Sequence, residues 1–365
     1  MNYLYFLYIE FLAKHNIPKL FGDITFYIIP CLIIFVALLV IVLLLVLAER
    51  KLLAYFTQRK GPNRVGFWGI LQTIADAFKL LCKENITPKG VDKFVFNFAP
   101  ILMFVPVMVT LGLIPFSAEF TLMNFQTNLL IYIVIATLPV LSILLAGWAS
   151  NNKYSLFGAV RNVAQILAYE LPIAFTVLAV IVLASSMNLT QIVLAQSSQF
   201  GAFGWFALPC FLGFIIMLIC VLAELNRCPF DLPEAESELV CGYNTEYSGM
   251  RFALFYLGEY SMLFANALLL SVLFFGGYLS PFGKYLSTLV FSGNLANIMI
   301  YFEQAFWLLL KSFLIIFVMI WIRATFPRLA SFDLLKFSGC VLLPVSILNL
   351  FFMVIFKVIV GGVYA

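Results

Sequence analysis

Long apolar segments separated by short polar connections run through most of this sequence. About eight of them reach the roughly 20 residues that a helical membrane crossing needs. They lie at about residues 26–48, 94–116, 127–150, 162–186, 202–223, 252–280, 302–322 and 337–359. Lipid offers no partner for free backbone groups, and these segments are too long for barrel strands, so the pattern predicts α-helices. We therefore expect an all-α, polytopic membrane helix bundle, with residues 1–365 forming one integral membrane domain.

Two other segments have patterns typical of a membrane surface. Residues 1–13 are apolar but too short to cross, and they include Glu10, so they are predicted at the interface, with a ninth crossing as the alternative. In the first connection, residues 67–82 repeat apolar side chains at helical spacing, with Asp76 and Lys79 on the opposite side. This pattern predicts an amphipathic interfacial helix.

Composition and charge narrow the class of protein further. The chain is 64% hydrophobic and only 10% charged, whereas soluble domains carry about 25% charged residues. Of the 21 Lys and Arg residues, 16 lie in the odd-numbered connections between predicted crossings. The positive-inside rule therefore places those connections in the cytoplasm or the mitochondrial matrix. The net charge of +4 reflects this topology, so no nucleic-acid partner is expected.

The residue types that bind metals and nucleotides are scarce. The seven cysteines include no C-x-x-C pair, and His15 is the single histidine. No glycine-rich phosphate-binding motif is present either. We therefore predict that this chain binds no metal and no covalent cofactor, and that any redox centre lies in another chain.

One stretch, residues 224–259, concentrates acidic side chains beside predicted crossings. It holds seven of the 17 acids, namely Glu224, Asp231, Glu234, Glu236, Glu238, Glu246 and Glu259. A charge in hydrocarbon costs at least about 3 kcal/mol, so these groups need water, partners or protons. Asp231 is predicted to cap a short helix in which Glu234 and Glu238 share one face. A simply solvated acidic loop is the alternative.

Further ionisable residues lie within the predicted crossings. Glu170 follows Arg161 by nine residues on one predicted helix, which is about 13 Å along its axis. Glu259 is expected one to two turns into the sixth crossing, and Lys311 near the middle of the seventh. Together with Glu224, these acids would form the chain of carboxylates and water that proton conduction requires. Satisfied structural pairs are the alternative interpretation.

Several long motifs resemble those of one known family. They are ERKLLAYFTQRKGPNRVG at 49–66, LQTIADAFKLLCKE at 71–84, GWASNNKYSLFGAVR at 147–161, the acidic stretch with EYSG at 246–249, and WIRATFPR at 321–328. In this order, over about residues 26–337, the chain is similar to subunit 1 of NADH:quinone oxidoreductase, respiratory complex I. In that family the subunit anchors the hydrophilic arm, forms much of the quinone tunnel and begins the acidic path that couples quinone reduction to proton translocation.

The resemblance assigns roles to residues of this sequence. It implies a quinone cavity near Glu49, Arg50, Arg59, Asp76, Arg323 and Arg328. It implies an acidic proton path through Glu170, Glu224, Asp231, Glu234, Glu236, Glu238 and Glu259. The substrate would be ubiquinone, and NADH, FMN and iron–sulfur clusters would lie in partner subunits.

The resemblance also implies partners and a location. The partners would be the quinone-module subunits of the hydrophilic arm, neighbouring membrane subunits and membrane lipids. The 40 phenylalanines favour an AT-rich organellar genome and hence the mitochondrial inner membrane, with a bacterial cytoplasmic membrane as the alternative. Two other functions remain open: the related membrane subunit of a membrane-bound hydrogenase, and an ion-coupled secondary transporter, which should show repeated halves.

Overall fold

The computed structural model describes residues 19–197, 204–233, 236–283, 285 and 294–363. Within these ranges the secondary structure is helical and contains no strand. The helices are α1 (Lys19–Phe56), α2 (Gln72–Cys82), α3 (Lys93–Leu113), α4 (Asn128–Ala136), α5 (Leu138–Ala149), α6 (Lys153–Ala184), α7 (Leu189–Ala195), α8 (Phe211–Glu224), α9 (Glu236–Leu239), α10 (Gly249–Phe274), α11 (Asn294–Thr325), α12 (Ser331–Phe337) and α13 (Leu343–Val363). The polytopic helical bundle is thus confirmed, whereas the interfacial segment predicted at residues 1–13 lies outside the described residues.

The predicted crossings correspond to seven long apolar helical segments and one shorter helix. The shorter one is α8, whose 14 residues extend about 21 Å. It begins at Phe211, later than the predicted 202, because Pro209 and its neighbours form a turn before it.

The predicted crossing at 127–150 is divided into α4 and α5. The interruption lies at Thr137, and Pro139 occupies the start of α5. Proline lacks the backbone N–H that a continuous helix would use. Pro139 thus removes one helical hydrogen bond at the interruption, whereas the apolar pattern alone predicts one continuous helix.

Helix α10 is the centre of the bundle. It packs against α1, α2, α3, α8 and α11. Of its most apolar 18-residue segment, 89% is buried. The helix begins at Gly249, which has φ 58° and whose added Cβ would lie 2.6 Å from Asn85 Oδ1. Because α10 starts here, Glu259 lies ten residues into the helix, about 15 Å along it. The predicted depth of one to two turns was too shallow.

The odd-numbered connections meet at one end of the bundle. Arg161 pairs with Glu238 at 2.5 Å, and Asn152 Nδ2 donates to Glu246 at 2.7 Å. Both contacts join the third connection to the fifth. The connections that the charge pattern assigns to one membrane side therefore lie together, whereas the identity of that side stays a prediction.

The amphipathic helix in the first connection is confirmed as α2. A 3-10 turn, Phe67–Gly69, precedes it, so the regular helix begins later than the pattern indicates. Ile74, Phe78 and Leu81 are all exposed on its surface in this single chain. An exposed apolar face of this size is expected for a helix that lies against lipid or another subunit.

Candidate functional site

A buried charge cluster lies near the C-terminal end of α1. Glu49 is 2% exposed and accepts hydrogen bonds from Arg227, at 2.6 Å, and from Arg323. The Arg227 guanidinium also lies 4.5 Å from the centroid of the Tyr260 ring. Burial disfavours the charge on Arg227, but the Glu49 carboxylate outweighs this effect and raises the pKa of Arg227. The cluster is satisfied internally and joins α1, α10, α11 and the acidic stretch.

A second ion pair lies nearer the surface, between α1 and α2. Arg50 donates to Asp76 at 2.5 Å, and Gln72 Nε2 donates to the same carboxylate at 3.0 Å. Partial burial raises the pKa of Asp76, but the hydrogen bonds and the positive charges of Arg50 and Lys79 prevail and lower it. This pair links α2 to the end of α1.

The six residues of the predicted quinone cavity therefore occupy several environments. Glu49 and Arg323 share the buried cluster, and Arg50 and Asp76 form the outer pair. Arg328 pairs instead with Asp231 of the acidic stretch, at 3.1 Å. The remaining residue, Arg59, is exposed and makes no side-chain hydrogen bond or ion pair within the described part of the chain.

The predicted helix cap at Asp231 is wrong. Leu232 and Pro233 lie outside any helix, and the described part of α9 is Glu236–Leu239. The guanidinium of Arg328, 97 residues away, binds the carboxylate that was expected to cap.

The structure describes the three glutamates after Asp231 to different extents. Glu234 lies outside the described residues, so its predicted shared face with Glu238 is not described. Glu236 opens α9, and only its backbone is described. Glu238 is exposed, and its carboxylate forms a solvated ion pair with Arg161.

Close packing fixes the acidic stretch against α6. A Cβ added to Gly158 would lie 3.0 Å from both Gly242 Cα and the Pro233 carbonyl oxygen. Ser155 Oγ donates to the Tyr243 carbonyl oxygen at 3.2 Å. Only a small residue allows this approach, so the local sequence of α6 determines where the acids lie.

The acids within the bundle border a cavity of about 360 Å³ between α4, α6, α8 and α10. Glu170 and Glu224 both line it, together with Tyr132, Tyr169 and Asn266. Asn266 Nδ2 donates to Glu224 Oε2 at 3.2 Å. Within the described residues no hydrogen bond or ion pair reaches the Glu170 carboxylate. The predicted association of these two acids is therefore a feature of the fold.

Two smaller cavities continue toward the charge cluster, the first with a mainly apolar lining and the second with a mainly polar one. The first, of about 30 Å³, is lined by Glu224, Asn226 and Glu259. The second, also about 30 Å³, is lined by Asn226, Glu259, Asp231 and both arginines of the buried cluster. Each is large enough for about one water.

The three cavities form a series in which neighbours share residues. Glu224 borders the first and second cavities, and Glu259 borders the second and third. Asn226, also shared, has φ 51°, in the left-handed region that asparagine tolerates better than most residues. The arrangement brings Glu170, Glu224, Glu259 and Asp231 into succession. Chemically, carboxylates that border connected spaces large enough for water are suited to passing protons.

Several residues of this region escaped the sequence-based predictions. Arg227 counted there only toward topology, yet it is the central cation of the buried cluster. The Tyr243 hydroxyl donates to Glu259, and Asn266 donates to Glu224. Asn266 did carry a signal, since it is a lone amide in the middle of an apolar segment. The partners of Arg227 carried none, because Glu49 lies 178 residues away.

The ammonium group of Lys311 is bound by backbone carbonyls at the end of α10. Its ammonium donates to the carbonyl oxygens of Phe275, Gly277 and Leu279 at 2.7, 2.8 and 2.6 Å. These carbonyls follow the C-terminus of α10, where a cation also favours the helix dipole. All three donors of the ammonium are used, so Lys311 holds the end of α10. In the described ranges no group of three or more His, Cys, Asp or Glu residues could hold a metal ion.

Comparison with known proteins assigns the chain to a family. The family model described as NADH dehydrogenase matches residues 29–354. The chain is 44% identical to a subunit of the NADH-quinone oxidoreductase of Bacillus cytotoxicus over 313 residues, which is 86% of this chain and 88% of that protein. It is 42% identical, over the same shares, to NADH-quinone oxidoreductase subunits from Bacillus thuringiensis and Bacillus anthracis. This multi-pass helical chain belongs to the NADH dehydrogenase family.

Proposed function

We propose that this chain is a core membrane subunit of a proton-pumping NADH:quinone oxidoreductase. In this role it forms the quinone access tunnel at the junction with the hydrophilic arm and begins the acidic path to proton translocation. NADH, FMN and the iron–sulfur clusters belong to partner subunits, and this chain contributes no redox centre. The names of the similar proteins and the coverage of 86% of this chain support the assignment to such a complex.

One observation carries the proposal, namely the series of three cavities. Its outer member is lined by Arg227 and Arg323, which hold Glu49, and also by Glu259 of the acidic path. The candidate quinone residues and the candidate proton residues therefore border one polar space. A solvated docking loop would not need acids that extend from this space into the bundle as far as Glu170.

The quinone mouth lies where α1, α2 and the Arg59 segment meet. The apolar face of α2 offers a surface for an isoprenoid tail, and the pair of Arg50 with Asp76 links that helix to α1. The exposed Arg59 is free to contact a quinone head group or a partner subunit. Arg59→Ala should lower NADH:quinone activity, whereas NADH oxidation by an artificial acceptor at the hydrophilic arm should persist. Equal loss of both activities would mean failed assembly and would leave the mouth unsupported.

Glutamine substitutions test the acidic path. Glu224→Gln and Glu259→Gln preserve shape and remove proton exchange, so each should lower coupled quinone reduction several-fold in assembled enzyme. Glu246→Gln is the matched control, since Glu246 accepts a hydrogen bond from Asn152 outside the cavity series. If both path variants turn over and pump like the wild type, the acidic path is wrong.

Partners and location require a separate experiment. Purification in mild detergent followed by mass spectrometry should recover the quinone-module subunits and neighbouring membrane subunits. Co-purifying hydrogenase subunits would indicate the related hydrogenase, and isolation as a lone chain would favour a transporter. The similar proteins are bacterial, and the mitochondrial inner membrane stays a prediction.

A further inference from the structure

A hydrogen-bond chain of three side chains ends on Glu224. The Tyr132 hydroxyl of α4 donates to Asn266 Oδ1 of α10 at 3.0 Å, and Asn266 Nδ2 donates to Glu224 Oε2 of α8 at 3.2 Å. Tyr132 is 1% exposed and Asn266 is also 1% exposed. All three line the cavity that contains Glu170. The chain thus links three helices to one acid.

The direction of these bonds has a chemical meaning. A tyrosine hydroxyl that donates to Oδ1 turns the Asn266 amide so that its N–H group faces Glu224. An N–H donor stabilises a carboxylate more than a protonated carboxyl group. If the amide turns over, Oδ1 faces Glu224 instead and accepts a hydrogen bond from the protonated acid, while Nδ2 donates to the Tyr132 oxygen. Each orientation thus matches one protonation state of Glu224.

We propose that Asn266 and Tyr132 are positioning residues for Glu224, which set its proton exchange through the orientation of the Asn266 amide. The inference rests on the proposed function, because it assigns to Glu224 a step in the acidic path. Neither residue is proposed as a proton carrier: the carboxylate of Glu224 takes up and releases the proton, and the amide and the phenol only orient its hydrogen bond. They act on Glu224 through the bond that it accepts.

Other titratable groups also surround Glu224 and define the background for a pH measurement. They are Tyr169 and Glu170 of α6, Tyr132 of α4, Cys220 one turn earlier on α8, and Glu259 of α10 across the second cavity. The substitutions proposed here leave Glu170, Cys220 and Glu259 in place. A change in the pH profile that requires Glu224 therefore reports on Glu224 itself.

The experiment uses the assembled complex in membrane vesicles. Quinone reduction is measured against pH and normalised to NADH oxidation by an artificial acceptor. Asn266→Leu removes the donor at nearly constant volume, so Glu224 holds its proton more tightly and the profile should move to higher pH by about one unit. Tyr132→Phe keeps the ring and releases the amide, so a smaller shift in the same direction is expected.

A double-mutant cycle separates positioning from packing. In a Glu224→Gln background, Asn266→Leu should not shift the residual profile, because the group that it tunes is gone. Ser271→Ala is the control on the same helix. Within the described part of the chain the Ser271 hydroxyl bonds only to the Leu268 carbonyl of its own turn, so this substitution should leave the profile unchanged.

The outcomes distinguish the two proposals. Unshifted profiles in both Asn266→Leu and Tyr132→Phe, with Glu224→Gln impaired, would overturn the positioning role and leave the acidic path intact. Wild-type behaviour of Glu224→Gln would overturn the positioning role, and the acidic path itself would fall only if Glu259→Gln also behaved like the wild type. A shift that persists in the Glu224→Gln background would show that Asn266 acts elsewhere and would also overturn the positioning role. If Asn266→Leu fails to assemble, Tyr132→Phe alone tests the proposal: a pH profile shifted to higher pH supports the positioning role, and an unshifted profile overturns it.

Discussion

Removing the negative charge of the buried cluster should destabilise the protein far more than removing the charge of the outer pair. Glu49→Gln keeps the side-chain shape but leaves Arg227, which is 7% exposed, without its counter-charge. Breaking a buried ion pair on one side costs about 3–5 kcal/mol. Asp76→Asn, by contrast, breaks a pair whose side chains are 45% and 34% exposed, and such pairs contribute about 0–1 kcal/mol.

The difference between these two variants exceeds about 2 kcal/mol, which is more than tenfold in an equilibrium constant. It can be followed by heating detergent-purified complex and measuring the fraction of this subunit that stays assembled on native gels. Glu49→Gln should lose assembly at a clearly lower temperature than the wild type, whereas Asp76→Asn should follow the wild-type curve closely.

A compensating variant sharpens the test. Replacing a buried ion pair by apolar residues of similar volume is often neutral or stabilising. Glu49→Leu combined with Arg227→Met should therefore recover much of the thermal stability that Glu49→Gln loses, although Arg323 keeps a partly exposed charge. The reasoning would be refuted if Glu49→Gln melted like the wild type, or if Asp76→Asn were the less stable of the two single variants.

Three further predictions follow from the same geometry. Lys311→Met should lower assembly because it leaves three carbonyl acceptors after α10 without their cation, and pulse-chase labelling of the complex would measure this. Cysteines introduced at exposed Asn63, Asn151 and Phe332, in a background lacking the native cysteines, should all react with an impermeant thiol reagent from the side of the hydrophilic arm, and discordant sidedness would remove a crossing. Because the pKa of Asp76 is lowered, its stabilising charge is present above the unfolded value and is lost only as pH falls through the lowered folded pKa. Limited proteolysis with an acid-active protease should therefore cut the first connection of Asp76→Asn faster than that of the wild type even at about pH 3.8, the ordinary pKa of an Asp, and equal cutting of the two proteins at that pH would contradict the lowered pKa.

Apolar length and helical periodicity predicted the parts of the fold that depend on local chemistry. The long crossings and helix α2 fall in this class, because burying backbone in lipid leaves few alternatives. The break at Thr137 was not predicted, and Pro139 alone does not mark it, since Pro100 and Pro172 lie inside uninterrupted helices. Asp231 shows the limit of local reasoning, since no helix includes Leu232 or Pro233 and the carboxylate of Asp231 pairs with Arg328, 97 residues away.

The sequence predicted which acids of the candidate site need compensation, but it did not predict which groups compensate them. The sequence indicates that Glu170, Glu224 and Glu259 need compensation, and hydropathy alone is sufficient for that inference. Which group compensates each charge depends on helix packing. Glu224 meets an amide from α10, Glu259 meets the Tyr243 hydroxyl, and neither partner follows from spacing along the chain.

The packing also explains how the two candidate sets could influence each other without a large movement. The outer cavity brings Arg323 and Arg227 to the same polar space as Glu259 and Asp231. At a low local dielectric, charges a few ångströms apart interact far more strongly than in water. A negative charge that develops on a quinone beside Arg323 would therefore weaken the hold of the arginines on the acids and raise the proton affinity of the nearest one. In the proposed path, the shared cavities would pass this change of charge from one acid to the next, and a local change at one end would then start proton movement toward Glu170.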